Sequence, residues 1–404
     1  MQICPVVPYL CGMIERQLTG KLKQLAQQYP VITLTGPRQS GKSTLVQTVF
    51  PELPYVLLED PDIRTLAQDD PRGFLANYAN GAILDEAQRV PELFAYLQGI
   101  VDRQTANRPF ILTGSQNFLL LESINQSLAG RTAVLRLLPF SYAERQANGL
   151  LPATIDELLF QGSYPRLVTN RLEPTDFFPS YIQTYLERDV RSLKNIADLS
   201  AFTRFLRLCA GRIGTPLNLS SLASDCSVSV NTAKAWISVL EASYVIYLLP
   251  PYHENFSKRL IKSPKLFFYD TGLVCSLLGL RRADLVESFY MRGNLFENLI
   301  VSEVLKHYYH RGQQAPCYYW QDKTGREVDL LIETDTGLLP LEVKAGMTLN
   351  KAHFDQLSYW NKLSGNPSSN SYVVYGGSLK QTTSSGAFVP LSELEGLLTT
   401  GKLS

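Results

Sequence analysis

The segment Gly36-Pro37-Arg38-Gln39-Ser40-Gly41-Lys42-Ser43-Thr44 limits what this chain can become more than any other. It follows a β-prone run, Val31 to Thr35, and leads into the helix-compatible Leu45 to Phe50, so a strand is predicted to turn into a helix across it. Glycine at positions 36 and 41 lets the backbone curl until its N–H groups point inward. The start of the helix adds the positive end of its dipole beneath an anion held there. A chance glycine-rich turn would not need this strand-to-helix setting.

Read as a phosphate loop, Gly36 to Thr44 is expected to wrap ATP. Lys42 would reach the β and γ phosphates, Ser43 would place its hydroxyl on Mg2+, and Thr44 would help start the helix. Gly81 to Glu86 reads as a buried strand ending in two acids, where Asp85 would hold the metal and Glu86 would polarise the attacking water. A solvated acidic turn is the plain alternative for that pair. Pro109 to Thr113 predicts a further strand, with Ser115 and Asn117 at its end as candidates to sense the γ-phosphate. Arg131 is a candidate to bring positive charge to the transition state, within the chain or in a neighbouring copy, its alternative being a surface ion pair.

These residues resemble the AAA type of P-loop ATPases, in particular prokaryotic proteins that join such a core to a C-terminal domain of unknown function. Leu34 to Thr44, Ala82 to Gln88, Ile111 to Asn117, Ser127 to Arg131 and Leu138 to Glu144 carry the likeness, which continues through Asn218 to Glu241 and Lys258 to Leu273. The resemblance implies a core sheet with Asp85 and Glu86 on a strand next to the phosphate-loop strand. It also implies assembly into a homo-oligomer.

A chain of 404 residues suits two to four domains. Its net charge of +1 excludes a global electrostatic pull towards nucleic acid or anionic membrane. The six cysteines show no zinc spacing, and no apolar run reaches the roughly 18 residues of a membrane span, so a cytoplasmic, membrane-free protein with reduced thiols is expected. Met1 to Gly12 reads as an appendage ahead of an amphipathic segment from Ile14 to Ala26, with Met13 as an alternative start.

In the middle, Leu151 to Val168 predicts a helical lid, and Asp176 to Asn195 an amphipathic helix carrying Tyr181, Tyr185 and Leu186. Leu217 to Leu240 predicts two short helices around a polar turn, leaving Ser229, Asn231, Thr232 and Lys234 exposed where DNA would be met. Tyr244 to Leu249 with Lys258, Arg259, Lys262 and Lys265 would form a basic wing, and Glu187 to Lys265 carries an excess of five positive charges. Docking of a protein partner is the alternative for such a module.

Towards the end, Gly293 to Tyr309 is helical in pattern, with Glu297 on the stripe of Ile300, Val301, Val304 and Tyr308. Tyr318 to Gln321, Glu327 to Ile332 and Leu338 to Val343 predict consecutive strands, with Asp329 on the central one and Glu342 and Lys344 on one face of the last. A helix acid, a strand acid and Glu-x-Lys resemble the PD-(D/E)xK restriction-endonuclease-like superfamily, although Val328 stands where its motif has proline. In that likeness Asp329, Glu342 and Glu297 would hold Mg2+, Lys344 would orient water, and Gln356 would support the site. A surface ion pair of Glu342 and Lys344 on an edge strand is the alternative.

The expected fold class is therefore α/β. A P-loop NTPase core of AAA/ASCE type (13–140) follows the appendage (1–12). A helical lid and linker (141–200), a winged-helix-like domain (201–275) and a mixed α/β restriction-endonuclease-like domain (276–404) complete the chain. Magnesium-dependent ATP hydrolysis coupled to nucleic-acid binding or processing is the expected function. The other reading is an ATP-switched regulatory machine with a catalytically silent adaptor.

Overall fold

The computed structural model describes residues 14–103, 109–115, 127–186, 198–252, 262–335 and 337–400. Strands β1 (Val31–Thr35), β2 (Tyr55–Leu57), β3 (Ala82–Asp85), β4 (Phe110–Gly114) and β5 (Thr132–Arg136) form a parallel sheet in the order β2-β3-β4-β1-β5. β1, β3 and β4 are buried at every position, which is why they carry apolar residues on both faces rather than on alternate positions alone. One apolar cluster, with Val31, Leu84, Phe94 and Leu112, covers one face, and another, with Leu22, Ile32, Val46 and Leu135, covers the other. The acidic strand β3 is not beside the phosphate-loop strand β1, as the resemblance implied. β4 is inserted between them and hydrogen-bonds to both.

After this sheet the chain turns helical. Ser141 and Thr154 each form a capping box, with Glu144 and Glu157, which fixes where the helices Tyr142–Ala147 and Ile155–Gln161 begin. The amphipathic helix expected from Asp176 to Asn195 is described only as far as Leu186. It runs Pro174–Tyr181 and passes into a π-helical turn, Ile182–Leu186, just after Pro179, whose missing N–H interrupts the ladder. The side chains of Tyr185 and Leu186 lie outside the described residues, as do 187–197.

Helices Leu199–Ala210, Leu219–Cys226 and Val230–Ala242 precede an antiparallel pair, β6 (Ile246–Leu249) and β7 (Lys265–Phe268). Asn218 and Ser229 cap the second and third helices through their side chains, and Ser227 takes the left-handed conformation that turns the chain between them. The limits expected at 200 and 275 fall inside helices Leu199–Ala210 and Thr271–Leu277.

The C-terminal sheet contains β8 (Cys317–Gln321), β9 (Glu327–Thr334), β10 (Gly337–Lys344), β11 (Tyr372–Tyr375), β12 (Gln381–Thr383) and β13 (Gly386–Pro390), ordered β12-β13-β11-β10-β9-β8. β8, β9 and β10 pair antiparallel, whereas β10, β11 and β13 pair parallel. A single apolar cluster runs from Leu138 through Phe205, Trp236 and Ile300 to Leu398, so the helical middle and the C-terminal sheet share one core across the expected boundary. At its centre lies the helix Arg292–Tyr309, buried along most of its length. Among the described residues, no helix is long and apolar enough to cross a membrane, and Cys209, Cys226, Cys275 and Cys317 are buried and unbridged.

Candidate functional site

The phosphate loop leaves β1 at Gly36 and enters the helix Lys42–Val49 through Gly41, which adopts the left-handed conformation. Gly36 is needed for a separate reason. A Cβ there would collide with the carbonyl oxygen of Leu137, so only glycine lets the loop start beside the end of β5. Lys42 is 6% exposed, and its ammonium donates to the carbonyls of Gly36 (3.0 Å) and Pro37 (2.9 Å), which keeps it over the loop mouth.

Ser43 Oγ donates to Asp85 Oδ2 at 2.6 Å, joining the loop to the acidic strand. Asp85 is 4% exposed and also accepts from Thr113 Oγ1 and the Tyr55 hydroxyl. Burial and the Asp85 carboxylate hold the Tyr55 phenol above its ordinary pKa, so it stays a donor. Glu86, at φ 54°, leaves the strand in the left-handed region. Its carboxylate accepts from Gln88 Nε2, and from Ser115 Oγ at 3.2 Å. The two acids therefore face different partners: Thr113 of β4 donates to Asp85, and Ser115, just after β4, donates to Glu86. Ser115, expected as a phosphate sensor, here donates to the glutamate. Asn117 lies outside the described residues.

Arg131 is not brought to this cluster. It precedes Thr132, which pairs with Val31 at the start of β1, whereas the loop leaves the far end at Thr35. Four strand rises of about 3.3 Å separate the two ends, roughly 13 Å. Arg131 instead makes an exposed ion pair with Asp102 at 2.6 Å, and the geometry supports no role for it at the loop of its own chain.

Two residues that carried no motif signal support the loop from outside. Arg16 is 6% exposed and donates to the Ser40 carbonyl (2.9 Å), the Leu138 carbonyl (2.7 Å) and Glu144 Oε1 (3.0 Å). Burial opposes the charge of Glu144, but Arg16 and backbone N–H donors hold its pKa below the ordinary value. His310, at the end of helix Arg292–Tyr309, accepts from the Leu138 N–H through Nε2 at 3.2 Å. Burial pushes its pKa down to about 4, so the ring is neutral, and its 3.7 Å approach to Glu144 is not a charged pair.

The C-terminal acids also converge. Oxygens of Glu297, Glu327 and Asp329 lie within 4.8 Å of one another. The β9–β10 ladder ends at the pair Leu330 and Leu341, and beyond it the Val343 N–H is taken at 2.8 Å by Asp329 Oδ2, which fixes that carboxylate. Glu342 is 5% exposed on an interior strand and accepts from Lys344 Nζ at 2.5 Å, so this pair is not on a sheet edge. Burial and neighbouring carboxylates raise Glu297 and Glu342 to about 8. Glu327, overlooked in the sequence, was detectable there: it sits two positions before Asp329 on one strand and so projects to the same face. Gln356 is exposed, and no hydrogen bond joins it to the acids among the described residues.

Lys265 overturns its place in the basic wing. Its side chain is 1% exposed and paired with Glu297 (3.2 Å) and Glu327 (2.5 Å). Ser229 caps its own helix, Asn231, Lys234 and Lys262 are exposed, and Thr232 is half-buried. Lys258 and Arg259 lie outside the described residues.

Residues 28–146 match the model of an AAA domain, whereas 152–284 and 292–394 match two domains of unknown function, DUF8612 and DUF4143. Uncharacterized proteins of Mycobacterium tuberculosis (Rv2008c) and Mycobacterium bovis (Mb2031c) are each 29% identical over 350 residues, 85% of this chain and 77% of theirs. The Walker-type ATPase paby2304 of Pyrococcus abyssi is similar at 16% identity over 66% of this chain and 96% of its own, with a TM-score of 0.46. A signal transduction ATPase with numerous domains and a tetratricopeptide repeat sensor, from Pyrococcus horikoshii, is 12% identical over 76% of this chain and 49% of its own, with a TM-score of 0.30. Likenesses this distant carry no functional weight. The phosphate loop and the family match together make residues 28–146 an AAA-type P-loop domain, a kind that binds and hydrolyses ATP.

Proposed function

We propose that the chain is a magnesium-dependent ATPase whose turnover is coupled to a C-terminal module that engages nucleic acid. The observation that carries the first part is the 2.6 Å bond between Ser43 Oγ and Asp85 Oδ2, which joins the hydroxyl that follows Lys42 in the loop to the carboxylate of the acidic strand. Those donors suit a hard, oxygen-preferring cation. When bound with ATP, magnesium neutralises phosphate charge and polarises the γ-phosphoryl group. The loop from Gly36 to Thr44 would hold the triphosphate through backbone N–H groups, and Lys42 would turn its ammonium to the outer phosphates. Glu86, oriented by Gln88 and Ser115, would accept hydrogen-bond donation from the attacking water. Arg131 would act only on a neighbouring copy in a homo-oligomer.

For the second part, support comes from the order of elements. A helix carrying Glu297 is followed by three antiparallel strands carrying Glu327, Asp329, Glu342 and Lys344, then a helix and a parallel strand. That order, with those acids, is the reason to read a PD-(D/E)xK-like module. The three helices and β6–β7 pair before it support a winged helix, with Asn231, Thr232, Lys234 and Lys262 as nucleic-acid contacts. Against cleavage, the buried Lys265 favours a silent adaptor as the second reading.

The test is ATPase rate with and without DNA, with Glu86→Gln as control. Glu86→Gln should bind ATP yet hydrolyse it at least about tenfold more slowly, roughly 1.4 kcal/mol or more in barrier. Undiminished turnover would remove Glu86 from this role. Magnesium-dependent DNA cleavage lost in Lys344→Ala favours the nuclease reading; no cleavage and no stimulation by DNA favours the adaptor.

A further inference from the structure

Lys265 opens β7, in the helical middle of the chain, yet its ammonium lies among the carboxylates of the C-terminal module. It is 3.2 Å from Glu297 Oε1 and 2.5 Å from Glu327 Oε1, with the ring of Tyr319 centred 5.4 Å away. The approach is built into the backbone. Lys265 bridges to Pro216, the Tyr319 hydroxyl donates to the Ser263 carbonyl, and Gly214 packs so closely on Glu297 that a Cβ would crowd it.

What surrounds that ammonium has the spacing of a divalent-cation site. Glu297, Glu327 and Asp329 each offer an oxygen within 4.8 Å of the others. Octahedral ligands at about 2.1 Å stand roughly 3–4 Å apart, so a small contraction would suffice. The neighbourhood also has acceptor capacity to spare: Glu342 is 5% exposed and its Oε2 has no hydrogen-bond partner among the described residues.

We propose that Lys265 is a tethered counter-ion that fills the acidic site in place of a divalent metal. The proposal rests on reading Glu297, Glu327 and Asp329 as metal ligands. A cation tied to the same chain competes at an effective concentration of about millimolar or above, so free metal is at a disadvantage. Removing the ammonium leaves buried carboxylates uncompensated, a state that a divalent ion would relieve.

Calorimetric titration of the full chain with MnCl2, without nucleotide, tests this against K265M and K265M/D329N. K265M is expected to bind Mn2+ at least about tenfold more tightly than the unmutated chain, and the double variant to lose that gain. Should K265M fail to fold alone, Mn2+ is expected to restore its cooperative melting transition, and not that of the double variant. Equal Mn2+ affinity in the unmutated chain and K265M would overturn the plug while leaving the metal site standing. A folded K265M that binds no Mn2+, a K265M that Mn2+ cannot refold, or a double variant that keeps the gain would overturn both.

Discussion

Arg16 donates a 2.9 Å hydrogen bond to the carbonyl of Ser40, so a residue just ahead of the helix Leu18–Ala26 holds the crest of the phosphate loop. Its guanidinium also pairs with the buried Glu144. Arg16→Met leaves that carboxylate without its charge partner, and a loss of about 3–5 kcal/mol is expected in denaturant unfolding. Among molecules that remain folded, titration with a fluorescent ATP analogue should show weaker affinity as the loop loses its brace. Unchanged affinity would confine Arg16 to stability.

Tyr55 reaches Asp85 from β2, at the edge of the sheet. Tyr55→Phe removes one donor while Ser43, Thr113 and the Glu86 N–H still hold the carboxylate. ATP affinity should persist while steady-state hydrolysis slows by about three- to tenfold, up to roughly 1.4 kcal/mol in barrier. An unaltered rate would show that the other three donors orient Asp85 without it.

Arg131 and the phosphate loop lie at opposite ends of two neighbouring strands, β5 and β1. Arg131→Ala should leave ATP affinity within about twofold, since only an exposed ion pair is lost. Hydrolysis should fall only at protein concentrations where copies associate. A fall of the same size in dilute, monomeric protein would return the arginine to its own site.

Glu395 ties the C-terminal helix Leu394–Thr400 to His307 at 3.1 Å and Arg311 at 2.5 Å. Burial would raise its pKa, but these two partners hold it down to about 2, from 4.5 when unperturbed. A depressed carboxylate stabilises the fold above pH 4.5 and loses that contribution as pH falls towards 2. Glu395→Gln should cost on the order of 1–2 kcal/mol at neutral pH, allowing for partial exposure. Thermal melts of the two proteins should then converge across that acid window. A constant gap down to pH 2 would mean that the charge is not what stabilises the wild type.

Local chemistry made much of this molecule legible from its residues alone. Gly36, Gly41 and Lys42 had to make a curled loop between strand and helix, because glycine torsions and the strand-to-helix pattern are properties of neighbours in the chain. Asp85 and Asp329 ended up on the strands where alternation and apolar runs put them. Interior alternation likewise placed Glu342 and Lys344 on one face. What the tertiary structure decided is which distant residues meet these groups. Sequence pattern gives no sign that β4 inserts between β3 and β1, yet only that order sets Thr113 beside Asp85 and Ser115 beside Glu86. Lys265 looked like one more solvated base in a positive stretch. Its burial follows from a core shared by the helical middle and the C-terminal sheet, a long-range packing that brings one ammonium to two carboxylates 32 and 62 residues away. Periodicity reports the face a side chain takes on its own element, whereas the partner on that face is set by how whole elements pack.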